Sequence, residues 1–370
     1  MSESNLHKLS GLGQSVWLDS LSREILETGQ LAKLMKDDAV TGVTSNPTIF
    51  QKALSGGDWY DAQLQELLKT EDDPKEIFVQ LSAQDVSNAC DLMSDVWDGG
   101  AGLRGYVSIE VDPRFAYDTE ATYEEAQRFH ALIDKPNLYV KIPGTKPGLP
   151  AIEDMIAAGK SINVTLLFAQ QRHREVMEAY IRGVERLVAS GGDPRKVSSV
   201  ASFFVSRVDT EADKRLEAVG SDAALALRGK LAVANARLAY QNWLEVFSGA
   251  RWQFLASKGA SKQWCLWAST STKNPAYPDT LYVDTLIGPE SVNTMPLETI
   301  EAFQDHGTVA LTVEEGVDEA RSLMRELEHV GVDVDDVTET LEEEGVQKFD
   351  DSLKELFDGI RAKQGELVSA

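Results

Sequence analysis

The sequence predicts an α/β protein, a (β/α)8 TIM barrel with additional C-terminal helices, and three observations carry that reading. Short segments rich in β-branched and aromatic residues alternate with segments of helical period over about 300 residues, which suits a closed parallel barrel. The glycine fingerprint of an open dinucleotide-binding sheet is missing, because Gly11-Leu12-Gly13 follows no strand and has no third glycine at the right spacing. Polar residues also gather at the C-terminal ends of the strand candidates, where barrels carry their active sites.

In chain order, Val16–Asp19 is the first strand, followed by a helix from Ser22 to Met35 with Ile25, Leu31 and Leu34 near helical spacing. Thr41–Phe50 reads as a strand closed by the Asn46-Pro47 break. A long helical region then runs to Asp98, interrupted by the acidic turn Glu71-Asp72-Asp73-Pro74. Gly99, Gly100, Gly102 and Gly105 form a loop before the strand Tyr106–Asp112. A helix over Thr119–Ile133, with Ala126, Phe129 and Ile133 on one side, leads into the strand Leu138–Thr145. Ile152 and Ile156 mark a short helix ending at Gly159, and Ser161–Phe168 is the next strand. Val176, Tyr180, Val184 and Leu187 stripe a helix that stops at Gly191-Gly192. The strand Val197–Arg207, a helical stretch over Ser221–Phe247 and the strand Gln263–Thr270 come next. A helix over Thr280–Leu286, the strand Ser291–Met295 and a helix over Leu297–Gln304 complete the alternation. Residues 1–307 are therefore expected to form the barrel. Residues 308–370 are expected to form an acidic helical extension packed on it, with Leu323, Met324 and Leu327 on one helix and Leu353, Leu356 and Ile360 on another.

Composition narrows the function classes. Hydrophobic residues make up 42% and charged residues 26%, as in soluble globular proteins, and no run of some 18 apolar residues exists to span a membrane. The start, MSESNLHKLSGLGQ, has neither a basic nor an apolar leader region. The two cysteines, Cys90 and Cys265, form no metal-binding spacing, and together with the missing leader they lead us to expect a cytoplasmic protein. A formal charge of -24 argues against nucleic acid or an anionic membrane as partner. It leaves room for an anionic small molecule, because a few local cations and N–H groups are enough to hold a phosphate.

The chemistry centres on LYVKIPGT, Leu138 to Thr145. Strand alternation puts Leu138, Val140 and Ile142 on one face and Tyr139 and Lys141 on the other. A buried ammonium is costly unless it is paired or sheds its proton, and the neutral amine is a nucleophile. The same alternation lines the inward faces with Asp19, Asn46, Glu110, Lys141, Asn163, Thr165 and Ser202. Taken singly, Asp19 or Asn46 suits a turn or cap, Glu110 an ion pair, and Thr165 and Ser202 ordinary strand positions. As a converging set of carboxylates, amine, amides and hydroxyls they exceed what packing needs. The histidines are scattered, none pairs at i, i+4 with a glutamate, and no metal site is expected.

From Val16 to Pro296 the chain resembles the transaldolases. GVTSNPTIF (Gly42 to Phe50) is similar to the family's first signature, and LYVKIPGT to its Schiff-base lysine segment. IEVDPR, INVTLLF and SFFVSR follow in family order. The resemblance implies that Lys141 forms an imine with a ketose phosphate. It implies that Glu110 works through a water as general acid and base, that Asp19 takes and returns the proton of the hydroxyl where the carbon–carbon bond breaks, and that Thr165 supports the water or the lysine. Asn46 and Asn163 would hold substrate hydroxyls, with Ser202 and Phe204 lining the pocket. Arg207, Ser269 and Lys273 would hold the phosphate. Some relatives have an arginine two residues after the serine matched by Ser269; here Ser271 stands there, with Lys273 two further on.

No organic cofactor or metal is implied, and the substrates would be sugar phosphates handled by a monomer or homodimer. Three readings follow. The first is a transaldolase of the non-oxidative pentose phosphate pathway, moving a dihydroxyacetone unit between sedoheptulose 7-phosphate or fructose 6-phosphate and glyceraldehyde 3-phosphate or erythrose 4-phosphate. The second is a related fructose-6-phosphate aldolase that releases dihydroxyacetone, and the third is a barrel that binds phosphosugars without catalysis.

Overall fold

A computed structural model gives the structure of residues 4–100 and 102–369. Parallel strands β1 Gln14–Leu18, β2 Val40–Val43, β3 Tyr106–Glu110, β4 Leu138–Pro143, β5 Ile162–Leu167, β6 Ser199–Phe204, β7 Trp264–Ala268 and β8 Ser291–Met295 close into a barrel in chain order. The ring is sealed by β1 and β8, in register from Gln14↔Ser291 to Leu18↔Met295. The strands are buried along their lengths, Trp264 alone being half-exposed. This is the burial expected where helices cover the outside and side chains fill the inside.

The filling explains part of the sequence. Tyr106 stacks on Tyr139 with ring centroids 3.9 Å apart, and Trp17 lies 5.9 Å from Tyr139. These rings make an aromatic floor, Tyr139 one inward position below Lys141 and Tyr106 two below Glu110. Gly42 makes room for it, because a Cβ there would stand 2.5 Å from the Trp17 indole.

The helix Thr119–Ile133 and β8 have the bounds expected from sequence. Other expectations need correction. The strand expected over Thr41–Phe50 stops at Val43, and Asn46 instead caps the helix Pro47–Ser55, its side chain accepting from the Ile49 N–H with Pro47 in the first turn. The helix expected over Ser22–Met35 is two, Arg23–Glu27 and Gln30–Asp37, parted by Gly29 at φ 74°. The strand expected to reach Arg207 ends at Phe204, and Arg207 lies in the first turn of an unanticipated helix, Ser206–Val219. The stretch Ser221–Phe247 divides into Asp222–Leu225 and Leu231–Val246, with Gly229 at φ 70° between them. The N-terminal helix Asn5–Gly11, which buries Leu6 and Leu9, was also not anticipated.

Two helices follow the last barrel helix, Val317–His329 and the C-terminal helix Val334–Ser369. The outermost residues of the two expected segments, 1–3 and 370, lie outside the described residues. The C-terminal helix crosses the C-terminal mouth of the barrel. Near its start Asp336 pairs with Arg215, and Arg215 also donates to Thr340 Oγ1 at 3.0 Å. Near its far end Lys363 pairs with Asp61 at 2.5 Å, and between the two Thr48 and Ser352 share a hydrogen bond of 2.7 Å. Gly345 permits the close approach, since a Cβ there would meet Leu166 Cδ2 at 3.0 Å. Leu166 has φ 58° at a bulge where the β5–β6 register shifts, so strict alternation fails there and its side chain meets the crossing helix.

Candidate active site

Parallel register builds the central layer. Glu110 pairs with Lys141 across β3–β4, and Lys141 with Asn163 across β4–β5, so the three side chains share one level of the barrel interior. Lys141 Nζ is 3.1 Å from Glu110 Oε2 and donates to the Ser45 carbonyl at 3.2 Å. Ser45 is held in turn by its hydroxyl, which donates to the Ser108 carbonyl at 2.6 Å. Neighbouring strands on one level bring the Glu110 and Lys141 side chains into direct contact.

Both groups are almost wholly buried. Burial holds the Glu110 carboxyl above the ordinary carboxylate range, although the charges of Lys141 and Arg207 act against it. The two Glu110 carboxylate oxygens and Thr165 Oγ1 have no hydrogen-bond partner among the described residues, which leaves them available to a substrate.

Around this layer the amides and hydroxyls are fixed in place. Asn163 Oδ1 accepts from Ser202 Oγ at 2.7 Å, and Asn163 Nδ2 donates to Ser108 Oγ at 3.1 Å. The amide is thereby oriented, with its second N–H unpaired among the described residues. Asp19 stands one residue past β1, where its N–H donates to the Met295 carbonyl at 2.8 Å, and its carboxylate accepts from Thr44 Oγ1 at 2.7 Å. Thr44 also meets Thr294 Oγ1 at 3.2 Å. Asn46 uses its carbonyl oxygen for the helix cap, so its amide N–H groups remain for another partner.

A cationic rim surmounts this layer. The Arg207 guanidinium lies 5.1 Å from the Phe204 ring and 5.8 Å from Phe349 of the C-terminal helix. It makes no ion pair with any described residue, although the charges of Asp19 and Glu110 reach it. Burial pushes it below its ordinary value. Ser269, at φ 56°, shares a 3.0 Å contact with the Ser206 hydroxyl and accepts the Ser206 N–H at its carbonyl, also at 3.0 Å. Lys273 donates to Ser271 and feels the charges of Arg207 and Asp19.

The residues singled out from sequence thus form a buried amine–carboxylate–amide layer and a cationic rim. Sequence reasoning missed Thr44, Ser45 and Thr294, which hold Asp19 and Lys141, and the supporting role of Ser108. Thr44 and Ser45 lie in the same segment as Asn46, and Ser108 alternates with Glu110, so a local signal existed for these three. Phe349 had none, because it arrives from a distant helix.

The family model described as transaldolase/fructose-6-phosphate aldolase matches residues 16–360. A transaldolase of Parafrankia sp. (strain EAN1pec) is 51% identical over 365 residues, covering 98% of this chain and 99% of that protein. A Mycobacterium ulcerans transaldolase is 51% identical over 368 residues, 98% of each chain, and a Mycobacterium tuberculosis transaldolase is 50% identical over 360 residues, 97% of this chain and 96% of that one. With its closed barrel, its lysine layer and a match that runs nearly end to end, the chain belongs to the transaldolase/fructose-6-phosphate aldolase family.

Proposed function

We propose that this protein is a transaldolase, transferring a dihydroxyacetone unit from a ketose phosphate to an aldose phosphate through a Schiff base on Lys141. The observation that carries the reading is the buried contact of Lys141 with Glu110 over an aromatic floor. A carboxyl group whose proton affinity is raised by burial can take a proton from the neighbouring ammonium, which frees the amine to attack the C2 carbonyl. Glu110 then returns a proton to the departing carbinolamine hydroxyl, water leaves and the imine forms.

Asp19 removes the proton of the C4 hydroxyl. The C3–C4 bond breaks, its electron pair moves into the enamine, and the aldose phosphate departs. The enamine C3 attacks the incoming aldehyde, Asp19 returns its proton to the new hydroxyl, and water hydrolyses the imine with Thr165 and Glu110 positioning it. Asn46 and Asn163 bind substrate hydroxyls, and Ser202 orients Asn163. Arg207, supported by Phe204, binds the phosphate with Ser269 and Lys273, the guanidinium offering a bidentate fork.

The curated relatives named above are transaldolases over essentially the whole chain, which favours transfer over release of the free ketone. The test is product analysis with fructose 6-phosphate. Sedoheptulose 7-phosphate should appear when erythrose 4-phosphate is added, with little dihydroxyacetone in its absence. Equal dihydroxyacetone production with and without acceptor would make the protein an aldolase, and no turnover of either kind would overturn the reading.

A further inference from the structure

The C-terminal helix is strongly acidic, and its other basic side chains sit in ion pairs: Lys354 with Asp350, Arg361 with Asp358 and Lys363 with Asp61. Lys348 does not. Glu344 at i−4 and Asp351 at i+3 occupy the positions at which a helical lysine finds a carboxylate, yet Lys348 pairs with neither, nor with any other described residue.

Its helix face explains where it goes instead. Gly345, Lys348, Phe349 and Ser352 follow at i, i+3, i+4 and i+7. Gly345 abuts Leu166 and stands 3.8 Å, measured from the position its Cβ would take, from an Arg207 nitrogen. Phe349 faces the Arg207 guanidinium, and Ser352 bonds Thr48. Thr48 is one helical turn before Lys52, another lysine without an ion pair among the described residues. Lys348 therefore stands on the face turned to the barrel mouth, where the charges of Arg207, Lys273 and Lys52 depress its ammonium below the ordinary value, Arg207 acting most strongly. In a chain of net charge -24, with carboxylates within reach, mutually repelling cations gathered at a catalytic mouth point to an anion that neutralises them.

We propose that Lys348, with Lys52 beside it, extends the phosphate site of Arg207 and Lys273 into a cationic collar that grips the phosphate monoester of the sugar substrate, making the C-terminal helix part of the binding site. This rests on the transaldolase reading of the mouth and adds to it a specificity element drawn from outside the barrel.

The test compares wild type, Lys348→Ala and Lys348→Arg with erythrose 4-phosphate and with unphosphorylated glyceraldehyde as acceptors. Lys348→Ala should raise KM for erythrose 4-phosphate about tenfold and move the KM for glyceraldehyde less than twofold, with Lys348→Arg restoring most of the loss. Equal KM changes for both acceptors, or no change for either, would overturn the proposal, the first because the side chain would then act through the fold. Calorimetric titration with inorganic phosphate decides the matter without turnover. Lys348→Ala should weaken binding about tenfold, and unchanged binding, or no binding to wild type, would overturn the collar. A catalytically inactive wild type that still shows this loss of phosphate affinity would instead remove the transaldolase reading and leave the collar standing.

Discussion

Replacing Glu110 by Gln keeps the shape of the side chain and removes only its capacity to carry a proton. In the structure this carboxyl is buried, lies 3.1 Å from the Lys141 ammonium as an ion pair, has no hydrogen-bond partner among the described residues, and has its proton affinity raised by burial. A positioned acid–base group of this kind contributes about 10²–10⁴-fold, or about 2.7–5.4 kcal/mol at about 1.36 kcal/mol per decade. Burial of the whole group favours the middle of that range, so kcat should fall about 10³-fold in a coupled assay of fructose 6-phosphate and erythrose 4-phosphate. Stability supplies an independent check with a definite sign. Because the folded-state value lies above the ordinary 4.5, the folded protein holds this proton more tightly than the unfolded chain does. The stabilisation is complete below the unfolded-state value and is lost as pH rises through the folded-state value. Gln cannot lose it. The unfolding free energy of Glu110→Gln minus that of wild type should therefore increase across that window in urea titrations. A kcat within tenfold of wild type, or a pH-independent stability difference, would refute the reasoning.

Two further substitutions test the supports of the site. Ser202→Ala removes the donor to the buried Asn163 Oδ1, and leaving such an acceptor unsatisfied costs about 1–3 kcal/mol. Urea unfolding should register that loss and kcat/KM should drop about tenfold; a variant as stable and active as wild type would show that Ser202 orients nothing. Gly42→Ala drives a Cβ to 2.5 Å from the buried Trp17 indole, an overpacking that costs about 1–3 kcal/mol and should appear as a lowered Tm with reduced activity. An unchanged Tm would mean that the Trp17 ring can move aside.

The layer around Lys141 was legible because it rests on strand alternation, and β3, β4 and β5 obey that rule up to Thr165. At Leu166 the bulge ends it, and no residue pattern announces φ 58° at a leucine. Asn46 and Arg207 stand out as site residues in the sequence but read as parts of strands, although each belongs to the start of a helix. The Asn46-Pro47 pair does carry the cap-then-proline signature, which the apolar Ile49 and Phe50 obscured as a continuing strand. Arg207 follows the apolar run of β6 without a break, so the turn into its helix left no local mark. The approach of Phe349 and Lys348 depends on how a helix some 140 residues downstream crosses the barrel, and local periodicity carries no information about that.

An imine on Lys141 is open to capture by borohydride, which reduces it to a stable secondary amine. Wild-type protein reduced in the presence of fructose 6-phosphate and mapped by mass spectrometry should carry a three-carbon adduct on Lys141, absent from Lys141→Arg treated alike. An unmodified Lys141, or an adduct on another lysine that persists in Lys141→Arg, would mean that Lys141 is not the imine-forming amine.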